Sequence, residues 1–188
     1  LGEPFLTATS YVAAFGWSFC LAIACLAHPV VRVLYGDQWD QAVEITRLLA
    51  GAMIFAVPAA LCRAVLLSTG SVSKITQLTM ATALVRVGLL VICVYHGVIA
   101  LCMGLIVAEL VASLLWLHAV TTKIHLSLSA VARTLRHSAV IALGSAIGPF
   151  VVLMVFGAYP QQTFLSLSTG CISAFFGFGL AVILTRHP

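Results

Sequence analysis

The chain has 188 residues, of which 62% are hydrophobic and only 7% charged, with a mean hydropathy of +1.17. Soluble domains carry roughly 25% charged residues, so this composition cannot clothe a water-facing surface and implies an integral membrane protein. The formal charge of +4 is small and scattered, which excludes the dense basic face that nucleic-acid binding requires.

A membrane crossing needs about 20 apolar residues, and irregular loops must stay outside the hydrocarbon core. That rule predicts an all-α bundle of about six spans forming a single membrane domain over residues 1–188. The first covers about 9–34, with Pro29 expected to loosen its outer end. The second covers about 43–69, where Pro58 removes a helical donor and should kink the helix. Gly70 opens the next turn, the third span covers about 75–95, and His96-Gly97 makes a tight corner before the fourth, about 98–120.

Beyond it, Ile124, Leu128, Val131 and Leu135 fall on one helical face, with His125, Ser129, Arg133 and Arg136 on the other. This predicts a short amphipathic helix over about 124–136 on the cytoplasmic membrane surface; the competing reading is an extension of the span that follows. The fifth and sixth spans are expected over about 138–156 and 163–184, joined by a turn at Gly157-Ala158-Tyr159-Pro160.

Between the first two spans lies the most polar short stretch of the chain. Asp37, Asp40 and Glu44 are three of its five acids, and Tyr35, Gly36 and Trp39 accompany them. Gly36 can take the positive φ that ends a helix, Asp37 or Asp40 can cap the next one, and Trp39 suits the headgroup layer. A helical corner in a soluble protein would use the same residues, but the composition of the remainder argues for a loop at a membrane surface. Lys74, Lys123, Arg133, Arg136 and Arg186 fall on the opposite side from this loop, so that side is expected to be cytoplasmic, with both ends of the chain. Arg32 and Arg47 stand near span ends on the acidic side.

Small residues repeat at helical spacing: Gly104, Ala108 and Ala112; Gly144 and Gly148; Gly170, Ala174, Gly177 and Ala181. Such stripes allow close backbone approach in lipid, either within one bundle or across a dimer. Six cysteines, none in a CxxC pair, lie mostly in apolar runs where a thiol behaves as a small hydrophobe. They indicate neither a disulfide framework nor a metal site, and no cofactor is expected.

Arg63, Arg86 and Glu109 are the ionisable residues within spans, and a charge at mid-membrane demands a partner or water. Arg63 can snorkel to the nearby headgroups or line a path. Arg86 and Glu109 lie deeper, as an ion pair or as the lining of an anion path. Arg86 precedes Gly97 by eleven positions and Glu109 follows it by twelve, so an antiparallel hairpin should bring them to nearly the same depth. His28, His96 and His118 are expected at interfaces or turns.

The runs Gly16-Trp17-Ser18-Phe19, Ala27-His28-Pro29-Val30-Val31-Arg32-Val33-Leu34-Tyr35-Gly36-Asp37-Gln38-Trp39 and Ala42-Val43-Glu44-Ile45-Thr46-Arg47-Leu48-Leu49-Ala50 resemble the carboxyl half of polysaccharide exporters. These are oligosaccharide-lipid flippases of the multidrug/oligosaccharidyl-lipid/polysaccharide exporter superfamily. Leu67-Ser68-Thr69-Gly70 and the corner at Gly97 are similar to the same pattern, while Ser18 stands where many relatives have proline. The resemblance spans essentially the whole chain but half of a family member. It implies one lobe of a two-lobe transporter in the cell inner membrane, an absent amino-terminal lobe as partner, and an undecaprenyl-pyrophosphate-linked oligosaccharide as substrate. Movement would be by alternating access, with cavity-facing basic residues holding the pyrophosphate.

The chain begins at Leu1 with no initiator Met, and is expected to be part of a longer polypeptide. No HExxH, phosphate loop or hydrolytic carboxylate pair is present, so an enzyme is not expected. Alternatives are a multidrug exporter of the same superfamily, a membrane-bound polysaccharide polymerase or ligase, and a degenerate fragment without transport.

Overall fold

The computed structural model describes residues 2–156 and 163–185. Among them lie seven α-helices: α1 (Gly2–Tyr35), α2 (Ala42–Ala56), α3 (Cys62–Ser68), α4 (Val72–Cys93), α5 (Val98–Lys123), α6 (Leu128–Phe156) and α7 (Thr163–Thr185). With α2 and α3 counted as one broken crossing, Ala42–Ser68, six helical segments are long and apolar enough to cross a membrane. The chain is an all-α, multi-pass membrane bundle. The expected turn at residues 157–160 and the tail at Arg186 lie outside the described residues.

The chain divides into two compact units, Leu1–Ala13 with Ala52–His137 and Ala14–Gly51 with Ser138–Pro188. In the first, α4 and α5 form an antiparallel hairpin and α3 packs against α5. Phe5, Cys62, Leu66, Ile75, Leu117, Val120 and Val131 make its buried core. The opposite face of α4 is bare: Met80, Leu84, Val87 and Val91 are all exposed, as lipid-facing side chains are. The hairpin turns at Gly97, whose φ of 93° is the left-handed conformation that glycine adopts without penalty.

The second unit is held by close helix contact. A Cβ on Gly148 would come within 2.9 Å of the Ser173 Cβ and 3.0 Å of the Ser173 carbonyl oxygen. One on Gly177 would stand 3.2 Å from the carbonyl oxygen of Ser145, and one on Gly144 3.4 Å from Ala181. The stripes on the fifth and sixth spans therefore face each other as antiparallel α6 and α7. Gly170 differs, since its neighbour is Leu26 of α1. Pro149, fully buried within α6, has no N–H to give the carbonyl of Ser145. That is the carbonyl Gly177 approaches, a geometry suited to a weak C–H···O contact.

Three local expectations change. The segment 124–136 is not a separate surface helix. His125, at φ 53°, ends α5 in the left-handed conformation, and the Leu126 N–H bonds back to the Thr121 carbonyl at 3.0 Å. Ser127 then caps a new helix, accepting from the Ala130 N–H at 3.3 Å, and nothing between Arg133 and Val140 breaks it before Phe156. The amphipathic pattern is used only in part: Val131 is buried in the core and Ile124 and Leu135 pack on it, but Leu128 is exposed, as are Arg133 and Arg136.

The first helix also begins earlier than residue 9 and runs straight through Pro29. Pro4 sits in its first turn, where a missing N–H is harmless, and Phe5 anchors that turn in the core. Around Pro29, buried Ala27 and Val31 pack on Val43, so tertiary contact holds the turn that the proline weakens. Pro58 does break its crossing, where the 3-10 turn Val57–Ala59 separates α2 from α3.

Candidate functional site

The α4–α5 hairpin carries a polar seam. Arg86 donates from its terminal nitrogen to Oε1 of Glu109, forming the ion pair that the spacing about Gly97 predicts. At ~1.5 Å per residue, Arg86 lies ~3 Å from the midpoint of Val72–His96 and Glu109 ~2 Å from that of Val98–Lys123. The pair therefore sits at mid-membrane. Its partners differ in exposure: the Glu109 side chain is 9% exposed, that of Arg86 49%. Glu109 is buried beside Ala108 on the closely packed face of α5, whereas Arg86 on α4 stays half-exposed.

One heptad along the same seam, Arg63 of α3 donates to the Thr79 hydroxyl at 3.2 Å, and its guanidinium carbon stands 5.9 Å from the centre of the Trp116 ring. The step from Thr79 to Arg86 equals the step from Trp116 to Glu109, so antiparallel helices carry both groups in register, ~10 Å apart. Arg63 is thus tied to the hairpin by a hydroxyl and an aromatic face. Among the described residues Glu109 is the single acid of this seam against two guanidinium groups. The arrangement is an unbalanced positive stripe that can bind an anion.

The outer-loop residues lie in the second unit. Gly36 has φ 88°, and its N–H closes the last turn of α1 on the Arg32 carbonyl at 3.0 Å. Asp37 to Trp39 form a 3-10 turn, and the Trp39 and Tyr35 rings stand 6.1 Å apart with both exposed. The aspartates are not side-chain caps. Asp40 receives a two-pronged grip from Arg32, Nε to Oδ1 at 2.8 Å and Nη2 to Oδ2 at 2.6 Å. Asp37 stands 3.7 Å from the same Nε. The fork of a guanidinium matches both oxygens of a carboxylate, and this wins over capping because Arg32 lies one turn before Gly36, facing back across the corner. The bond from Arg32 holds the Asp40 carboxyl below its ordinary pKa.

Near this corner His28, Asp40, Glu44 and Arg47 line a cavity of about 680 Å³ with apolar walls from Val43, Leu48 and Leu153. Sequence reasoning placed Arg47 and His28 only near span ends; the signal available was Glu44 and Arg47 three residues apart, on one side of a helix. No cluster of His, Cys, Asp and Glu among the described residues can hold a metal ion.

Fold and seam together define a polytopic membrane protein with charge at mid-depth. No protein-family model, curated protein or solved structure matches the chain.

Proposed function

We propose that this chain is the carboxyl-terminal lobe of an inner-membrane carrier that flips a lipid-linked oligosaccharide by alternating access. The observation that carries the reading is Arg86. A half-exposed guanidinium at mid-membrane, with one counterion and a second guanidinium ~10 Å along the seam, is costly in lipid and useful beside a passing anion. A pyrophosphate linkage is such an anion, and arginine is suited to it by its planar set of donors. The motif about Gly16 to Ala50 supports the exporter class over a polymerase or ligase. Under this reading the acidic corner faces outward, the chain ends face the cytoplasm, and a second lobe completes the cavity.

The test uses proteoliposomes holding the complete gene product that contains this chain, with a fluorescent undecaprenyl-pyrophosphate saccharide as probe. Wild-type protein should speed leaflet exchange, and Arg86→Gln should slow it roughly tenfold or more at equal inserted amount. Exchange no faster than in empty vesicles would remove the proposal.

A further inference from the structure

We propose that the cavity beside the acidic corner binds the phosphoethanolamine head group of a bilayer phospholipid, with Arg47 on the phosphate and Glu44 on the ammonium. This inference is independent of the transport reading. The cavity has opposite charges in place. Glu44 and Arg47 lie three residues apart in the first turns of α2, close enough for a mutual salt bridge, yet none forms between them. Asp40 on the same wall is already committed to Arg32. Among the described residues Glu44 is therefore the uncommitted carboxylate and Arg47 the uncommitted guanidinium, with His28 as a third polar neighbour.

Depth agrees with a lipid source. The crossing Ala42–Ser68 is ~40 Å long against a hydrocarbon core of about 30 Å, so its first turns stand at headgroup level. Glu44 lies ~3 Å and Arg47 ~8 Å below the start of that helix. Exposed Tyr35 and Trp39 mark the same layer, and Leu48 and Leu153 provide an apolar floor where acyl chains begin. Chemistry then selects the head group. Ethanolamine offers three N–H donors to a carboxylate, choline offers none, and glycerol brings no cation at all.

The experiment purifies the complete gene product that contains this chain in detergent and exchanges it into nanodiscs holding equal amounts of phosphatidylethanolamine, phosphatidylcholine and phosphatidylglycerol with identical acyl chains. Lipid retained on re-extraction is counted by mass spectrometry. The ratio of ethanolamine to choline lipid is internal to each sample and does not depend on how much protein folds. Wild type should favour phosphatidylethanolamine about tenfold, Glu44→Gln should bring the ratio to one, and soluble phosphoethanolamine should not compete. A ratio of one in the wild type, a ratio unchanged by Glu44→Gln, or a preference for phosphatidylglycerol would each overturn the assignment. Competition by soluble phosphoethanolamine would overturn the lipid as its source.

Discussion

Arg86 and Glu109 meet at the middle of two adjacent antiparallel helices, the carboxylate buried and the guanidinium half-exposed. The asymmetry assigns different work to the two. Glu109 neutralises a charge the membrane would otherwise reject; Arg86 keeps donor capacity beyond the one bond it makes to Glu109.

A double-mutant cycle measures the link. Arg86→Ala and Glu109→Ala should each lower folded protein, and the double variant should lose less than the sum, with a coupling of about 1–3 kcal/mol. Unfolding in mixed micelles reads the stability. Glu109→Ala should be the worse of the two, since it removes the buried partner and leaves a guanidinium at mid-membrane without a counterion. Strictly additive losses would separate the two residues energetically.

The corner formed by Arg32 and Asp40 should be insensitive to mild acid. The Asp40 carboxyl is held below its ordinary 3.8 by the Arg32 bond, so the pair favours the folded corner at any pH above that value. Its contribution fades only as the pH falls through the lowered folded pKa. Emission from Trp39, whose ring lies beside Tyr35 in the same turn, should stay constant from neutral pH to 5 and change only below 3.8. Asp40→Asn should show the altered emission at every pH, and a transition near pH 6 would point to another group.

Two glycine replacements should differ in cost although both are crowded. In Gly148→Ala the new methyl meets the backbone of Ser173 at 3.0 Å, so α6 and α7 must separate, at about 1–3 kcal/mol. In Gly170→Ala it meets the tip of Leu26, but that side chain lines an apolar groove of about 450 Å³ and can turn into it. Thermal unfolding should therefore rank Gly148→Ala well below Gly170→Ala. The reverse order would show that Leu26 cannot move.

Topology can be read with single cysteines at exposed positions that hold no ion pair. Gln41→Cys, in the acidic corner, should react with an impermeant maleimide added outside cells in a background without the native cysteines. Ser127→Cys, at the start of α6, should react only after permeabilisation. The opposite pattern would invert the orientation proposed from the basic residues.

Much of the architecture follows from the order of residues alone. Long apolar runs need internal hydrogen bonding in lipid, so crossings and their number are dictated locally. The Arg86–Glu109 pair was legible for a related reason: a tight turn at Gly97 and a constant rise per residue convert spacing into depth. Gly36 and Pro58 act through their own backbone chemistry, and each left its mark where expected.

What tertiary structure decided are choices among partners. Arg32 could have snorkelled and Asp40 could have capped; the folded corner joined them because a forked bond exceeds either alternative. Pro29 marked a weak turn, yet packing of Ala27 and Val31 on Val43 kept it helical. The amphipathic stretch carried a correct apolar face at Val131, but only the fold determined that it covers protein core and continues into α6. Local geometry is a property of the chain, whereas a side chain with several adequate partners is assigned by whichever one the packed helices bring within reach.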